Sequence, residues 1–433
     1  MDTSTAQALI RFGMGRRKGE ALPGDPVAWL RQQLLQPDPA LAEPGPTTTQ
    51  ALRAIQRDQQ AMQTMGGATT SQAEALFTPG IERLALTPVI TAAPFRERLV
   101  WFWINHFTVS LRGVGDRRSL LIAYVREAIR PHVTGRFEDM LTAVMHHPVM
   151  LLYLDNISSV GPASPFGLKT GRGLNENLAR ESLELHTLTQ ASGYTQQDVT
   201  EYAKILTGWT FNLDLPDQGT HFALSTHEPG PKTVLGETVP HGAAGLARAL
   251  TFLAHHPATH RNLALKLCRH FIADNPPTGA VERIADVLRR SGGDLGAASM
   301  ALIDLPEAWV PQTKLRGSAD FAWAVLRGLG FDTLPPDFLG FHLFALDQPL
   351  LNPDFPAGFP DTAADWGNGA LLLRRAEWLV TLINFHQDHD PVALAHDLLG
   401  AHLSETTLAT VRGAASRRDA LVLLFASPEF QRR

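Results

Sequence analysis

A polar stretch in the middle of the chain carries the densest group of side chains that could do chemistry. Glu181 and Glu184 are three residues apart, so on a helix their carboxylates are neighbours. Such a pair can bind one divalent cation, or its two pKa values can separate into an acid and a base. Glu176, Arg180 and Glu184 follow at four-residue spacing, which lets the guanidinium hold both carboxylates, and Asn177 falls in the same arc. The alternative is a solvated helix face with weak ion pairs.

Three histidines stand near further polar residues. His106 follows Asn105 at the end of a helix that is apolar nearly all round, where each polar group needs a partner or a ligand. His227 lies in a polar turn five residues before Lys232. We expect His106 and His227 to join the two glutamates in one site. On a straight helix His186 points away from these carboxylates, so it is a core histidine, a proton relay or part of a second ligand site.

Other polar residues are expected to support this site or to stabilise the fold. Asp155 and Asn156 end a predicted helix just before a loop rich in Ser, Gly and Pro. Each of them could simply terminate that helix or start a turn. Supporting or structural roles are expected for Asn105, Asp155, Asn156, Glu176, Asn177, His186 and Lys232.

The elements that must position these residues are helices. Many short segments have helical periodicity, punctuated by 30 prolines and 35 glycines, and strands never alternate with helices. Only residues 221–225 and 232–235 have strand character, which predicts a hairpin around the intervening proline-glycine turn. We therefore predict a mainly α fold, an irregular multi-helix bundle with long loops and one small β-hairpin.

The chain is long enough for more than one core. We predict a helical body over residues 1–330 that carries the polar segments, with the hairpin within 210–240. A C-terminal helical region over residues 331–433 is either a second domain or part of the same one. Long loops are expected at 157–173, 210–240 and 347–368. Loops of this length in a compact protein tend to be lids or binding segments.

Composition excludes several classes of function. The net charge is -5, so nothing in the charge balance indicates a nucleic-acid partner. Cys268 is the only cysteine, which excludes an internal disulfide and a cysteine-built zinc site. No apolar run approaches the ~20 residues that span a bilayer, and no leader is recognisable, so a cytoplasmic location is expected. The sequence contains no motif typical of an organic cofactor site.

Motifs distributed along the chain are similar to those of one bacterial family, catalogued as domain of unknown function 1800. They are VWFWINHF (100–107), HPVMLLYLDN (147–156), LNENLARE (174–181), LHT (185–187), GYTQQDV (193–199), LTGW (206–209), His227, KLR (314–316), NP (352–353) and SPEF (427–430). The resemblance implies a family but no established reaction. Similar members are often encoded beside a second family, catalogued as 1501, which looks like the sulfatase and alkaline-phosphatase superfamily. That neighbour often carries an export signal, so export with a partner is also open.

Two hypotheses of different classes follow. The first is a metal-dependent hydrolase, with oxygen chemistry at a mononuclear iron as the other reaction class left open. Its metal ligands would be Glu181, Glu184, His106 and His227. The same four residues would supply the general acid and base. Arg180 would orient the carboxylates or bind an anionic group of the substrate. The second hypothesis is a non-catalytic partner or carrier of the phosphatase-like neighbour.

Overall fold

A computed structural model describes residues 1–65, 70–384, 386 and 388–433. Helices account for 65% of this structure, and its strands form two small antiparallel pairs. The prediction of a mainly α fold is therefore confirmed.

The helices fall into three consecutive groups along the chain. The first group is α1 (Thr3–Gln7), α2 (Pro26–Leu35), α3 (Pro39–Ala42), α4 (Thr48–Met65), α5 (Gln72–Ile90), α6 (Pro94–His106), α7 (Leu111–Val114), α8 (Ser119–Tyr124), α9 (Phe137–Met145) and α10 (Pro148–Tyr153). The second is α11 (Pro165–Thr170), α12 (Asn177–Glu181), α13 (Gln196–Leu206), α14 (Ala243–His255), α15 (Pro257–Phe271), α16 (Thr278–Ser291), α17 (Leu295–Ile303) and α18 (Ser318–Leu329). The third is α19 (Phe338–Ala345), α20 (Ala363–Trp366), α21 (Gly369–Ile383), α22 (Pro391–Leu399), α23 (Glu405–Arg412), α24 (Arg417–Ala426) and α25 (Pro428–Gln431).

Short π-helical and 3₁₀-helical segments extend or connect several of these helices. The π-helical segments are Ala8–Phe12, Val125–Ile129 and Ser182–Thr187. The 3₁₀ segments are Gly115–Arg117, Arg130–His132, Asn156–Ser158, Gln190–Ser192, Pro216–Gln218, Leu224–Thr226, Pro306–Trp309 and Gly400–His402. One of the π-helical segments continues α12, so the stretch predicted as a single regular helix changes its hydrogen-bond pattern after Glu181.

Proline at the first helical position starts many of these helices, and a side chain before it caps the free N–H groups. His147 accepts a hydrogen bond at Nδ1 from the N–H of Val149 (3.2 Å), and His256 does the same for Ala258 (3.2 Å). Both histidines precede a proline in a His-His-Pro sequence. These imidazoles therefore have a structural task at the starts of α10 and α15.

The strands pair differently from the predicted single hairpin. β1 (Trp209–Phe211) pairs with β2 (Thr220–Phe222), and β3 (Lys232–Val234) pairs with β4 (Glu237–Val239). The second hairpin turns at Leu235 and Gly236, which both have positive φ (51° and 82°), as a two-residue hairpin turn requires. The proline-glycine turn connects the two hairpins instead of forming one, and the hairpin of β3 and β4 closes five residues further on, at Leu235 and Gly236.

Two apolar clusters form the interior of the described chain. The larger one contains side chains from α1 through α17, and the second is built from α18 and the helices that follow it, with α5 packed against them. Trp101 and Leu350 contact both clusters. The division of the chain at residue 330 stays a prediction.

Helix α6 lies in the interior and positions the residues at its C-terminal end. Glu97 accepts two hydrogen bonds of 2.8 Å from Arg130, and Arg130 also pairs with Asp38 at 3.2 Å. All three side chains are almost completely buried. The next residue, Arg98, donates to the carbonyl of Gly13. The charged first half of α6 is therefore paired on two sides, which holds its last turn in place.

Candidate functional site

A cavity of about 380 Å³ lies between α6, α15, α18, α19 and the segment 348–366. Its lining is mainly aromatic and aliphatic, and the rings of Trp101 and Trp323 contact each other within it (4.7 Å between centroids). Six ionisable groups other than histidine also line it: Arg98, Lys266, Arg269, Asp320, Asp361 and Arg433. A mostly apolar cleft with a few converging polar groups is typical of a small-molecule site.

His270 and Asp361 form a hydrogen-bonded pair in this cavity. The imidazole Nδ1 lies 2.7 Å from Oδ2 of Asp361. Because an ionised carboxylate only accepts, Nδ1 carries the proton and Nε2 keeps its lone pair. Nε2 is buried and has no hydrogen-bond partner in the described part of the chain. Burial lowers the pKa of His270 to about 4 despite the opposing charge of Asp361, so the imidazole is neutral at pH 7.

Two further cations hold the Asp361 carboxylate. Lys314 donates to its main-chain carbonyl (2.6 Å) and lies 3.3 Å from Oδ1, while Arg433 lies 3.8 Å from the same oxygen. Burial disfavours the charge of Asp361, but His270 and these cations outweigh burial and keep its pKa well below the usual value. The carboxylate is thus ionised and fixed in the orientation that His270 uses.

Lys266 lies one helical turn before His270 on α15. Its ammonium group donates to the carbonyl of Leu185 (2.9 Å) and to Nδ1 of His106 (3.2 Å). His106 in turn donates from Nε2 to the carbonyl of His186 (3.1 Å), which fixes its tautomer. Burial, followed by the charge of Arg269, lowers the pKa of Lys266 to about 8. No carboxylate of the described residues is within ion-pair distance of this ammonium group.

Asp320 stands at the cavity wall with three arginines around it. Arg98 binds its two oxygens at 2.8 and 3.3 Å, Arg316 lies at 3.2 Å and Arg433 at 3.0 Å. Burial disfavours the Asp320 charge, but the guanidinium groups outweigh it and hold the pKa of Asp320 well below its usual value. One carboxylate therefore balances only part of the positive charge that surrounds it.

Asn105 connects α6 to the segment that closes the cavity. Its side-chain amide donates to the carbonyl of Phe359 (2.9 Å) and accepts from the N–H of the same residue (2.8 Å). Gly358 has φ +79°, and a Cβ there would lie 2.6 Å from the Asn105 carbonyl oxygen. Only glycine permits this approach, so the amide and the glycine together fix the loop against the helix.

The predicted carboxylate helix lies elsewhere and is largely engaged in local bonds. Glu176 accepts from Arg180 (3.2 Å) and also from the side chains of Gln196 (2.7 Å) and Thr200 (2.6 Å), and the Thr200 bond contributes most to its lowered pKa. Arg180 pairs with Glu176 only, rather than holding Glu184 as well. Asn177 is the first residue of α12.

The charge of Glu184 acts on Glu181. Burial and the charge of Glu184 raise the pKa of Glu181. Glu184 accepts from Gln190 (2.9 Å) and Tyr194 (3.4 Å). Burial, with the Glu181 charge, raises the pKa of Tyr153 to about 12. The two glutamates thus share a surface with two tyrosines, and neither contacts His106 or His227 in the described structure.

His186 faces the interior, on the π-helical continuation of α12. It is fully buried beside the rings of Phe107 (5.1 Å) and His106 (6.3 Å). Burial lowers its pKa to about 3, and neither ring nitrogen has a hydrogen-bond partner among the described residues. His186 is a neutral core residue that backs His106 from outside the cavity.

The predicted residues of the strand region form a separate structural cluster. His227 donates from Nδ1 to the carbonyl of Thr207 (2.7 Å) and accepts at Nε2 from Lys232 (3.1 Å) and the N–H of Gly242 (3.2 Å). With both ring nitrogens engaged, it ties three loops together. Lys232 also donates to the Glu228 carbonyl.

Asp155 and Asn156 end α10, as their place in the sequence indicated. Asp155 adopts left-handed backbone angles (φ 59°) and is exposed. Asn156 is buried and donates to the carbonyls of Leu206 (3.2 Å) and Trp209 (3.1 Å). Asp155 thus turns the chain through its backbone, the Asn156 side chain ties this turn to the end of α13 and the start of β1, and neither residue lines the cavity.

The structure brings together only some of the predicted site residues. His106 and Asn105 line the cavity, whereas Glu181, Glu184 and the His227 cluster lie outside its lining. Within the described ranges, no three His, Cys, Asp or Glu side chains are grouped so that they could hold a metal ion. The expected four-ligand metal set therefore has no geometric support here and stays a prediction.

Comparison with protein-family models assigns the chain. The model described as "Protein of unknown function (DUF1800)" matches residues 7–432 of the 433. The chain belongs to this family. Comparison with curated proteins and with solved structures gave no match. The family motif at 100–107 ends α6 and contributes His106 and Asn105 to the cavity.

Sequence reasoning missed the residues that dominate the cavity of this family member. Lys266 and His270 are four apart on α15, a spacing that places them on one helix face. Asp361 lies in the long loop at 347–368, which was expected to be functional, but no local pattern pairs it with a histidine 91 positions away. Across the described ranges, no helix has both the length and the apolar character needed to cross a bilayer.

The two buried lysines of this region should respond differently to truncation. We expect Lys266→Met to leave the free energy of unfolding unchanged or raised by about 1 kcal/mol, because removing an unpaired buried charge offsets two lost hydrogen bonds. Lys314→Met should lower it by about 2 kcal/mol, because the partly buried carboxylates of Asp274 and Asp361 both lose their shared ammonium partner. Chemical denaturation of the three proteins measures both changes.

The effect of Lys266→Met should also depend on pH. Burial disfavours the charged form of Lys266 only in the folded state. Its pKa is about 8 there, against 10.5 in the unfolded chain. The unfolded chain therefore binds more protons between these values, and wild-type stability rises through that range. The stability of Lys266→Met relative to wild type should therefore be highest below pH 8 and fall toward pH 10.5, as the penalty on the wild-type ammonium disappears. A large loss of stability in Lys266→Met at pH 7 would contradict the description of Lys266 as an unpaired buried cation.

Proposed function

We propose that the protein is a hydrolase that cleaves a carboxylic ester in the cavity, with His270 as the general base. The observation that carries this proposal is the state of one imidazole: His270 lines a small-molecule cavity, its Nδ1–H is bonded to Asp361, and its buried Nε2 has no hydrogen-bond partner among the described residues. A fixed tautomer with an unused lone pair is what a general base requires.

The chemistry follows from this orientation. As a water oxygen attacks the ester carbonyl, its proton moves to Nε2 of His270. The resulting imidazolium is stabilised by the ionised carboxylate 2.7 Å from Nδ1. The same proton can then pass to the leaving alcohol. Because Nε2 is covered in this structure, substrate binding has to include a small shift of the side chains around it.

Metal dependence and the participation of Glu181 and Glu184 remain part of the proposal to be tested. General-base catalysis by His270 relies on its hydrogen bond with Asp361, which is already formed in this structure. If a divalent ion takes part, Glu181 is the carboxylate whose raised pKa and half-buried position distinguish it from its neighbours. An assay with and without a chelator therefore separates the two forms of the hydrolase hypothesis.

The test is ester hydrolysis by matched variants. His270→Asn keeps an N–H near the position of Nδ1 for Asp361 but removes the base at Nε2. With p-nitrophenyl acetate and butyrate, we expect this substitution to lower kcat/KM by about 100-fold or more. The wild-type rate should fall as pH drops toward 4, where His270 takes up a proton.

The control is His255→Asn, at a histidine on the surface of α14, which should leave the rate unchanged. Retention of wild-type hydrolysis in His270→Asn, or no hydrolysis above the level of that variant, would overturn the proposal. A rate that a chelator abolishes and divalent ions restore would add the predicted metal.

A second proposal is that the protein binds a partner, the phosphatase-like neighbour implied by the family resemblance. The observation that favours it is an apolar surface on two packed helices. On α19, Phe341 and Phe344 are 67% and 72% exposed, and on α21 Leu373 is 60% exposed. Large aromatic side chains in contact with water are typical of interfaces.

Co-purification with that neighbour tests the partner role. The double substitution of Phe341 and Phe344 by serine should abolish a complex that forms at micromolar concentration, because it removes the apolar contact. Leu168→Ser, at an equally exposed leucine on α11, is the control and should not affect it. Absence of a wild-type complex, or a complex insensitive to the double substitution, would refute this role.

A further inference from the structure

The cavity is lined by more positive than negative charge. Arg98, Lys266, Arg269 and Arg433 line it, against the carboxylates of Asp320 and Asp361, while the imidazoles of His106 and His270 are neutral because burial lowers their pKa values. Four cations thus face two anions. Because charge in a low-dielectric site is costly unless it is balanced, this excess calls for a negative group that the chain does not supply.

Lys266 is the cation best placed to receive such a group. Its two hydrogen bonds go to neutral acceptors, the Leu185 carbonyl and the His106 ring, and leave one N–H of the ammonium unused. Arg433 provides a second donor, since its Nη1 is buried with no partner in the described part of the chain. By contrast, Lys314 is satisfied by Asp274 and Asp361.

The surroundings of Lys266 also indicate the rest of the ligand. Trp101, Phe102, Trp323, Leu350 and Phe359 line the same cavity, and Phe102 packs against His270 (5.4 Å between centroids). Aromatic walls bind a flat or aliphatic body, while the ammonium fixes the position of one charged end. A cavity of about 380 Å³ accommodates a molecule of this kind.

We propose that the cavity binds small organic carboxylates, with the carboxylate on Lys266 and the apolar body against the aromatic wall. This inference rests on the proposed function in one respect, because it names the substrate class of the same site as an ester that also carries a carboxylate. It places the reacting carbonyl one helical turn from the anion, at His270. The bound anion would also favour the protonated imidazole and so strengthen His270 as a base.

The experiment compares a charged probe with a neutral probe of similar size. Benzoate and benzyl alcohol share an aromatic body, and only benzoate carries the anion. By titration calorimetry at pH 7, we expect wild-type protein to bind benzoate about tenfold more tightly than the alcohol or better, and Lys266→Met to reduce this preference to about twofold or less. Lys266→Arg should restore it, and Lys204→Met, at a surface ion pair, should leave it unchanged.

Several outcomes would overturn the inference. They are equal affinity of the wild type for both probes, absence of benzoate binding, or a benzoate preference that survives in Lys266→Met. The preference should also decline above pH 8, where the ammonium loses its proton. Failure of this inference is distinguishable from failure of the hydrolase proposal. The His270→Asn variant should lose ester hydrolysis but still bind benzoate more tightly than benzyl alcohol.

Discussion

The buried carboxylate of Asp320 is the contact on which the centre of this structure depends. It receives Arg98 from α6, Arg316 from the segment before α18, and Arg433 from the end of the described chain. Segments more than a hundred residues apart in sequence therefore meet at two oxygen atoms. Removing that carboxylate would leave three buried guanidinium groups without their common partner, which is far more costly than losing an exposed ion pair.

Further hydrogen bonds fix the arginines that surround Asp320 beside the cavity. Each buried guanidinium group needs acceptors for its N–H groups. Arg98 uses the Gly13 carbonyl and Arg316 the Phe430 carbonyl for this purpose. The neighbouring space is then bordered by charged groups whose bonds are already fixed. Lys266 and His270 project toward that space from α15, each with one polar position unused.

The fold was largely predictable, because helical periodicity and Pro-started helices are local properties of the sequence. The pairing of strands was not, since it depended on the turn at Leu235 and Gly236 and not on the more conspicuous proline-glycine pair. For the site, Asn105 and His106 were recognisable as polar groups in an apolar helix, and both border the cavity. The carboxylates of Glu181 and Glu184 were equally conspicuous in the sequence. They lie outside the cavity lining, where Glu184 accepts hydrogen bonds from Gln190 and Tyr194. The His270–Asp361 pair joins residues 91 positions apart, and only tertiary packing brings them together.

The most direct test of this account is the ionisation of His270 itself. Imidazole nitrogen NMR of labelled protein, with the resonances assigned by their loss in His270→Asn, gives both its tautomer and its pKa. The account predicts a neutral ring protonated at Nδ1 at pH 7, with a pKa near 4 that rises when benzoate is bound. A pKa close to 6.5 that benzoate does not change, or a ring protonated at Nε2, would contradict it.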